Sequence, residues 1–195
     1  MKWNTQIKNA TTKANRVLGC IKKSFKYHRP EVIKLLYTSL VRPNLEYAIS
    51  SWCPHLEKDI NELEKVQRRA TKLIPELQNL DYPQRLSILN LTDLRTRRIR
   101  GDLIQMYKLI NKLEYIDLVN GTNFNFKISG EDKIYNLRRN SYTLMREKVR
   151  NCPSRFNFFT NRVVNHWNQL KEDVVKAKQL NSFKSKIDEW LLRRY

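Results

Sequence analysis

Residues 56–74 read Leu56-Glu57-Lys58-Asp59-Ile60-Asn61-Glu62-Leu63-Glu64-Lys65-Val66-Gln67-Arg68-Arg69-Ala70-Thr71-Lys72-Leu73-Ile74, and this stretch decides the fold class. Leu56, Ile60, Leu63, Val66, Ala70 and Ile74 recur at steps of three and four, the spacing of a helix that buries one stripe. The charges are ordered along it. Glu57, Asp59, Glu62 and Glu64 come first, then Lys65, Arg68, Arg69 and Lys72. Acid first and base last complements the helix dipole, so stability alone accounts for the order. The four cations also fall on one side of the helix, a surface suited to phosphates. The two readings are compatible.

Upstream, the same periodicity continues. Ile7, Ala10, Ala14, Val17, Leu18, Ile21 and Phe25 form an apolar stripe, with Lys8, Lys13, Arg16, Lys23 and Lys26 largely opposite. Lys and Arg occur eight times before the first acidic residue, Glu31. A face kept for solubility usually mixes signs, so this one points to a polyanion. Pro30 suits the first turn of a helix carrying Val32, Leu35, Leu36 and Leu40, with Ile33 and Tyr37 widening its arc. Pro43 breaks or kinks that element, and Leu45 to Trp52 read as the centre of the core.

Downstream, Thr92 is the expected N-cap of a helix to about Leu113, buried through Ile99, Leu103, Met106, Tyr107 and Ile110. Arg95, Arg97, Arg98 and Arg100 crowd its start, and Asp93 and Asp102 neutralise two of them at most. Glu114 to Asp132 changes character, with Asn, Gly and alternating Phe124/Phe126 pointing to a loop with a short strand. An irregular basic stretch from Arg138 and Arg139 to Arg155 follows. Phe156, Phe159, Val163, Trp167 and Leu170 then resume helical spacing, and Asn181/Ser182 should cap a last helix burying Phe183, Ile187, Trp190 and Leu191.

The expected fold is therefore mainly α. A helical bundle over 1–113 and a linker over 114–132 lead to a smaller, mostly α C-terminal subdomain over 133–195 with room for short strands. Four glycines in 195 residues are too few for a turn-rich β-sandwich or barrel. Thirty-eight Lys+Arg against 19 Asp+Glu leave a net charge of +19. That excess attracts polyanions, nucleic acid before an acidic membrane surface. The first helix's apolar face, built on Ala10 and Ala14, offers little to insert into a membrane. No secretory leader or membrane span is visible, and three scattered cysteines fit a reducing compartment. Nucleus or cytoplasm is expected.

Catalysis finds no constellation. The eight aspartates are isolated, with no Asp-Asp pair for two-metal nucleotidyl transfer, and no glycine loop cradles a phosphate. Cys53-Pro54-His55 with Cys152 and His166 fits no zinc-ligand spacing. No cofactor, metal or small-molecule substrate is expected.

Several ordered motifs resemble the region after the palm in non-LTR retrotransposon (LINE-type, jockey-like) reverse transcriptases. They are Lys13-Ala14-Asn15-Arg16-Val17-Leu18-Gly19-Cys20-Ile21-Lys22-Lys23-Ser24-Phe25, Leu36-Tyr37-Thr38-Ser39-Leu40-Val41-Arg42-Pro43 with Leu45-Glu46-Tyr47-Ala48, and Trp52 with Pro54. Leu63 to Lys72, Arg97 to Ile104, and Phe158 to Asn165 with Trp167 complete the set, which spans nearly the whole chain. The resemblance implies a thumb and C-terminal region whose fingers and palm, with the catalytic carboxylates, lie outside this chain. It implies a part that is not an enzyme alone and that grips primer-template, an RNA–DNA hybrid or structured RNA, through its phosphates. The residues expected to do so are Lys13, Arg16, Lys22, Lys23, Lys26, Lys65, Arg68, Arg69, Lys72, Arg97 and Arg98, followed by Arg138 and Arg139. The competing expectations are a structural remnant of a truncated element, or a stand-alone basic helical RNA-binding module.

Overall fold

The computed structural model describes residues 3–48, 50–116 and 142–194. The chain is mainly α-helical, with no strand among the described residues. It divides into two compact units, Met1–Arg98 and Ile99–Tyr195. The boundary expected at 114–132 is thus corrected. The division falls inside a helix, because Leu103, Met106 and Tyr107 join the downstream apolar cluster while Leu94 joins the upstream one. Most of the expected linker, with the strand around Phe124 and Phe126, lies outside the described residues.

The first unit contains α1 (Asn4–Ser24), α2 (Pro30–Leu36), a π-helical turn (Tyr37–Val41), α3 (Arg42–Glu46), α4 (Glu57–Lys72), a 3-10 turn (Pro75–Leu77) and α5 (Tyr82–Ile88). Helix α1 buries Ile7, Ala10, Ala14, Leu18 and Ile21 as its spacing predicts, and it packs against α4 and α3. Phe25 lies beyond the helix end and is exposed, contrary to expectation.

Pro43 does not break its helix. The chain passes from α2 to α3 through the π turn, where Arg42 N–H donates to the Tyr37 carbonyl. The Asn44 side chain donates to the Leu40 carbonyl at 2.8 Å, satisfying an acceptor the wider turn leaves over. The buried stripe is consequently Ile33, Tyr37, Val41 and Leu45, in strict steps of four. Such steps drift round an α-helix of 3.6 residues per turn, and the wider π turn counters the drift. Leu35 and Leu40 face outward instead, at 66% and 49% exposure, and Tyr47 is also outside the core in which it was expected.

A polar network crosses this core. Gln67, fully buried on α4, accepts from the Tyr37 hydroxyl at 2.6 Å and donates to the Tyr82 hydroxyl and the Thr92 carbonyl. The Tyr82 hydroxyl in turn donates to Glu64 Oε1, and Glu64 Oε2 accepts the Leu94 backbone N–H at 3.0 Å. Burial holds the Glu64 carboxyl above the usual carboxylate range and the Tyr37 and Tyr82 hydroxyls above theirs. Helix α6 (Leu94–Ile110) therefore starts against two carboxylates. Asp93 caps it, accepting from Thr96 N at 2.9 Å and Thr96 Oγ1 at 2.7 Å, so the capping side chain is Asp93, one residue after the expected Thr92.

The second unit gathers α6 from Ile99 onward with α7 (Pro153–Phe156), α8 (Phe159–Trp167), α9 (Glu172–Val175) and α10 (Leu180–Leu192). Tyr107 stacks on Phe183 with ring centroids 4.2 Å apart and donates to the Ala177 carbonyl at 2.6 Å. Asn161 of α8 and Asn168, just past its end, clip an extended strap to the helix. Asn168 exchanges hydrogen bonds with the Leu144 backbone, and Asn161 accepts from Glu147 N. Helix α10 begins at Leu180, ahead of the expected Asn181/Ser182 cap, and buries Phe183, Ile187 and Leu191.

Two outcomes test this packing. Glu64→Ala, which orphans the Tyr82 hydroxyl and the Leu94 amide, should cost about 3 kcal/mol in urea unfolding. In the second unit, burial and the nearby Arg194 hold the His166 pKa below the usual imidazole range. The unfolded chain then takes up the proton first on acidification. Stability from this residue is full above about pH 6.5 and lost as pH falls below it. His166→Gln should flatten that acid-side loss in melting curves recorded across the window.

Candidate nucleic-acid interface

Lys65, Arg68, Arg69 and Lys72 all stand exposed on α4, on the side away from its buried residues. Arg69 Nη1 donates to Asn15 Oδ1 of α1 at 3.0 Å, so the basic faces of two helices adjoin. Lys8 and Lys22 each lie two turns from Asn15, on either side of it along the same stripe of α1, and both are exposed. Lys22 belongs to the expected set. Lys8 was left out of it, although its seven-residue spacing from Asn15 carried the signal. Arg16 and Lys23 lie farther round the same exposed side, and Lys13 sits on the opposite shoulder of the helix. Lys26 is exposed past the end of α1, 5.7 Å from the Tyr27 ring centroid.

Beside the α4 cations lies a cleft of about 520 Å³. Its second wall is the segment from Gln78 to Tyr82, held by Arg85 of α5. Arg85 is buried, donating from Nε to Thr71 Oγ1 at 3.0 Å and from Nη1 to the Leu80 carbonyl at 2.6 Å. The Arg68 guanidinium lies over the Tyr82 ring, 4.4 Å from its centroid, and Tyr82 is fixed through its hydroxyl by Glu64 and Gln67. Buried network and exposed cations thus meet at one tyrosine. Lys65 spends part of its charge on Glu62 at 2.7 Å, whose carboxyl is held below its usual range by that bond.

The arginines at the start of α6 are held differently from those of α4. Arg97 forms a two-pronged pair with Glu46, and Arg95 pairs with Glu57. Arg98 is only 5% exposed, and burial lowers its pKa. Arg100 grips Asp188 through Nε at 2.5 Å and Nη2 at 2.9 Å. The counter-charges of Arg95, Arg97 and Arg100 come from 38 to 88 positions away in sequence. Asp102 is held by Arg162 from the same unit, at 2.7 and 2.8 Å. Arg97 thus keeps only part of its side chain exposed beside Glu46, and Arg98 is buried.

The second basic stretch is only partly described. Arg138 and Arg139 lie outside the described residues. Of the rest, Arg155 pairs with Glu147, Arg146 stacks 4.9 Å from the Phe156 ring centroid, and Lys148 and Arg150 are exposed. Among the described residues, no three His, Cys, Asp or Glu side chains gather to hold a metal ion. No helix among them is long and apolar enough to cross a membrane.

These positions separate two kinds of arginine. Alanine at Arg68, Arg69 and Lys72 together should weaken binding to an RNA–DNA hybrid about tenfold or more at low salt, with little change in melting temperature. Arg97→Ala should do the reverse, lowering the melting temperature while affinity holds, because the largely buried Glu46 loses its two-pronged partner and keeps only Arg42 at 3.7 Å.

Comparison with family models, with curated proteins and with solved structures finds no match to this chain.

Proposed function

We propose that this chain is a non-catalytic, nucleic-acid-gripping part of a reverse transcriptase of the non-LTR retrotransposon type, corresponding to its thumb and C-terminal region. The observation that carries the proposal is the joined basic surface of α1 and α4, tied by the Arg69–Asn15 hydrogen bond. A helix pair whose adjoining faces are rich in Lys and Arg binds a phosphate backbone without reading bases, which is the task of a thumb on primer-template. The ordered motifs from Lys13 to Trp167 supply the family. Fingers and palm act from elsewhere, and the described residues contribute grip and position, not bond-making.

Affinity in this reading comes from counterion release. With ~6 phosphate contacts, binding to an RNA–DNA hybrid should fall ~10³-fold between 50 and 200 mM salt. A flat salt response in fluorescence anisotropy, or no binding at low salt, would refute the proposal. A second reading draws on Leu35, Leu40 and Tyr47, which expose apolar surface along the α2–α3 segment. A structural remnant would leave such surface uncovered and associate through it. Sedimentation decides between them. A monomer that binds hybrid favours the grip, and concentration-dependent aggregates that do not bind favour the remnant.

A further inference from the structure

We infer that the cleft between α4 and the Gln78–Tyr82 segment receives a single unpaired nucleotide of the strand whose backbone lies on α4. The inference rests on the nucleic-acid reading above and specifies which part of the ligand enters. Its first ground is shape. A double helix presents a broad convex backbone and cannot enter a cleft of about 520 Å³, whereas one extruded nucleotide can.

The second ground is the asymmetry of the walls. One wall is cationic, and Arg68 and Lys72 have no carboxylate partner among the described residues. The Arg68 guanidinium is already oriented on the Tyr82 ring, so little ordering entropy is lost when it meets a phosphate. The facing wall's cation, Arg85, is buried and directs its donors inward to Thr71 and the Leu80 carbonyl. That wall offers the exposed amides of Gln78 and Asn79, which make no hydrogen bond among the described residues, and the Asp81 carboxylate. Side-chain amides carry both donors and acceptors and suit base edges, while a carboxylate repels phosphate and accepts from amino or hydroxyl groups. The phosphate therefore lies towards α4, and the base towards Gln78 and Asn79.

The third ground is rigidity. Arg85 bolts the second wall to α4 through Leu80 and Thr71, so the cleft exists before any ligand arrives. A pre-formed site loses less on binding than one the ligand must assemble.

The test uses the whole chain and two fluorescent RNA–DNA hybrids with equal numbers of phosphates, one fully paired and one ending in a short unpaired tail. The tailed hybrid should bind about tenfold more tightly at the same salt, the gain expected of one base held in a site. Gln78→Ala with Asn79→Ala should abolish that preference and leave the fully paired affinity unchanged. Arg68→Ala should weaken both. Equal affinities for the two hybrids would overturn the inference while leaving the phosphate grip standing. Failure of both hybrids to bind at low salt would overturn the grip as well. Tighter binding of an acidic peptide of equal charge would assign the cleft to a protein ligand and overturn the inference too.

Discussion

The Glu64 carboxylate sits in a core that would otherwise be apolar, and the arrangement of the first unit follows from satisfying it. An isolated charge there would be very costly, so several neighbouring donors are drawn in. Tyr82 supplies a hydroxyl, Leu94 a backbone amide, and Gln67 links both to Tyr37. These bonds join the π turn, α4, α5 and the start of α6 in a directional way that packing among leucines cannot. The carboxylate also lies at a helix N-terminus, where negative charge is favoured. Its raised pKa shows that desolvation still outweighs those contacts.

The candidate interface depends on this core. Tyr82 has its hydroxyl in the buried network and its ring under Arg68, so the outward guanidinium inherits the order of the interior. Arg85 does the same for the opposite wall of the cleft, with both its hydrogen bonds made inward. Two arginines beside one tyrosine thus have different tasks. Arg85 is consumed by the fold, and Arg68 is positioned by it.

Charge in this chain sorts by the same criterion. Arg95, Arg97 and Arg100 each find a carboxylate far away in sequence, and Arg98 is buried. In the linear sequence they look like the densest phosphate-binding cluster of the molecule. Folding neutralises them, while the less crowded Lys65, Arg68, Arg69 and Lys72 keep most of their charge for solvent. Local density of arginine is therefore a poor guide to a binding face unless the counter-charges are located.

The helical class, the buried faces of α1, α4, α8 and α10, and the basic side of α4 are properties of periodicity, so the sequence by itself determined them. A residue's place on a helical wheel depends only on its neighbours along the chain. What only the tertiary structure decided is whatever depends on residues distant in sequence. The π turn kept Ile33, Tyr37, Val41 and Leu45 on one side and sent Leu35 and Leu40 outward. The division between units moved into α6 because Leu94 and Leu103, nine residues apart on one helix, join different cores. The cleft beside Arg68 required a turn after α4 to fold back, and the fate of each arginine depended on carboxylates that no local window contains. Hydrophobic spacing is a short-range signal, whereas ion pairing and cavity shape exist only once distant segments meet.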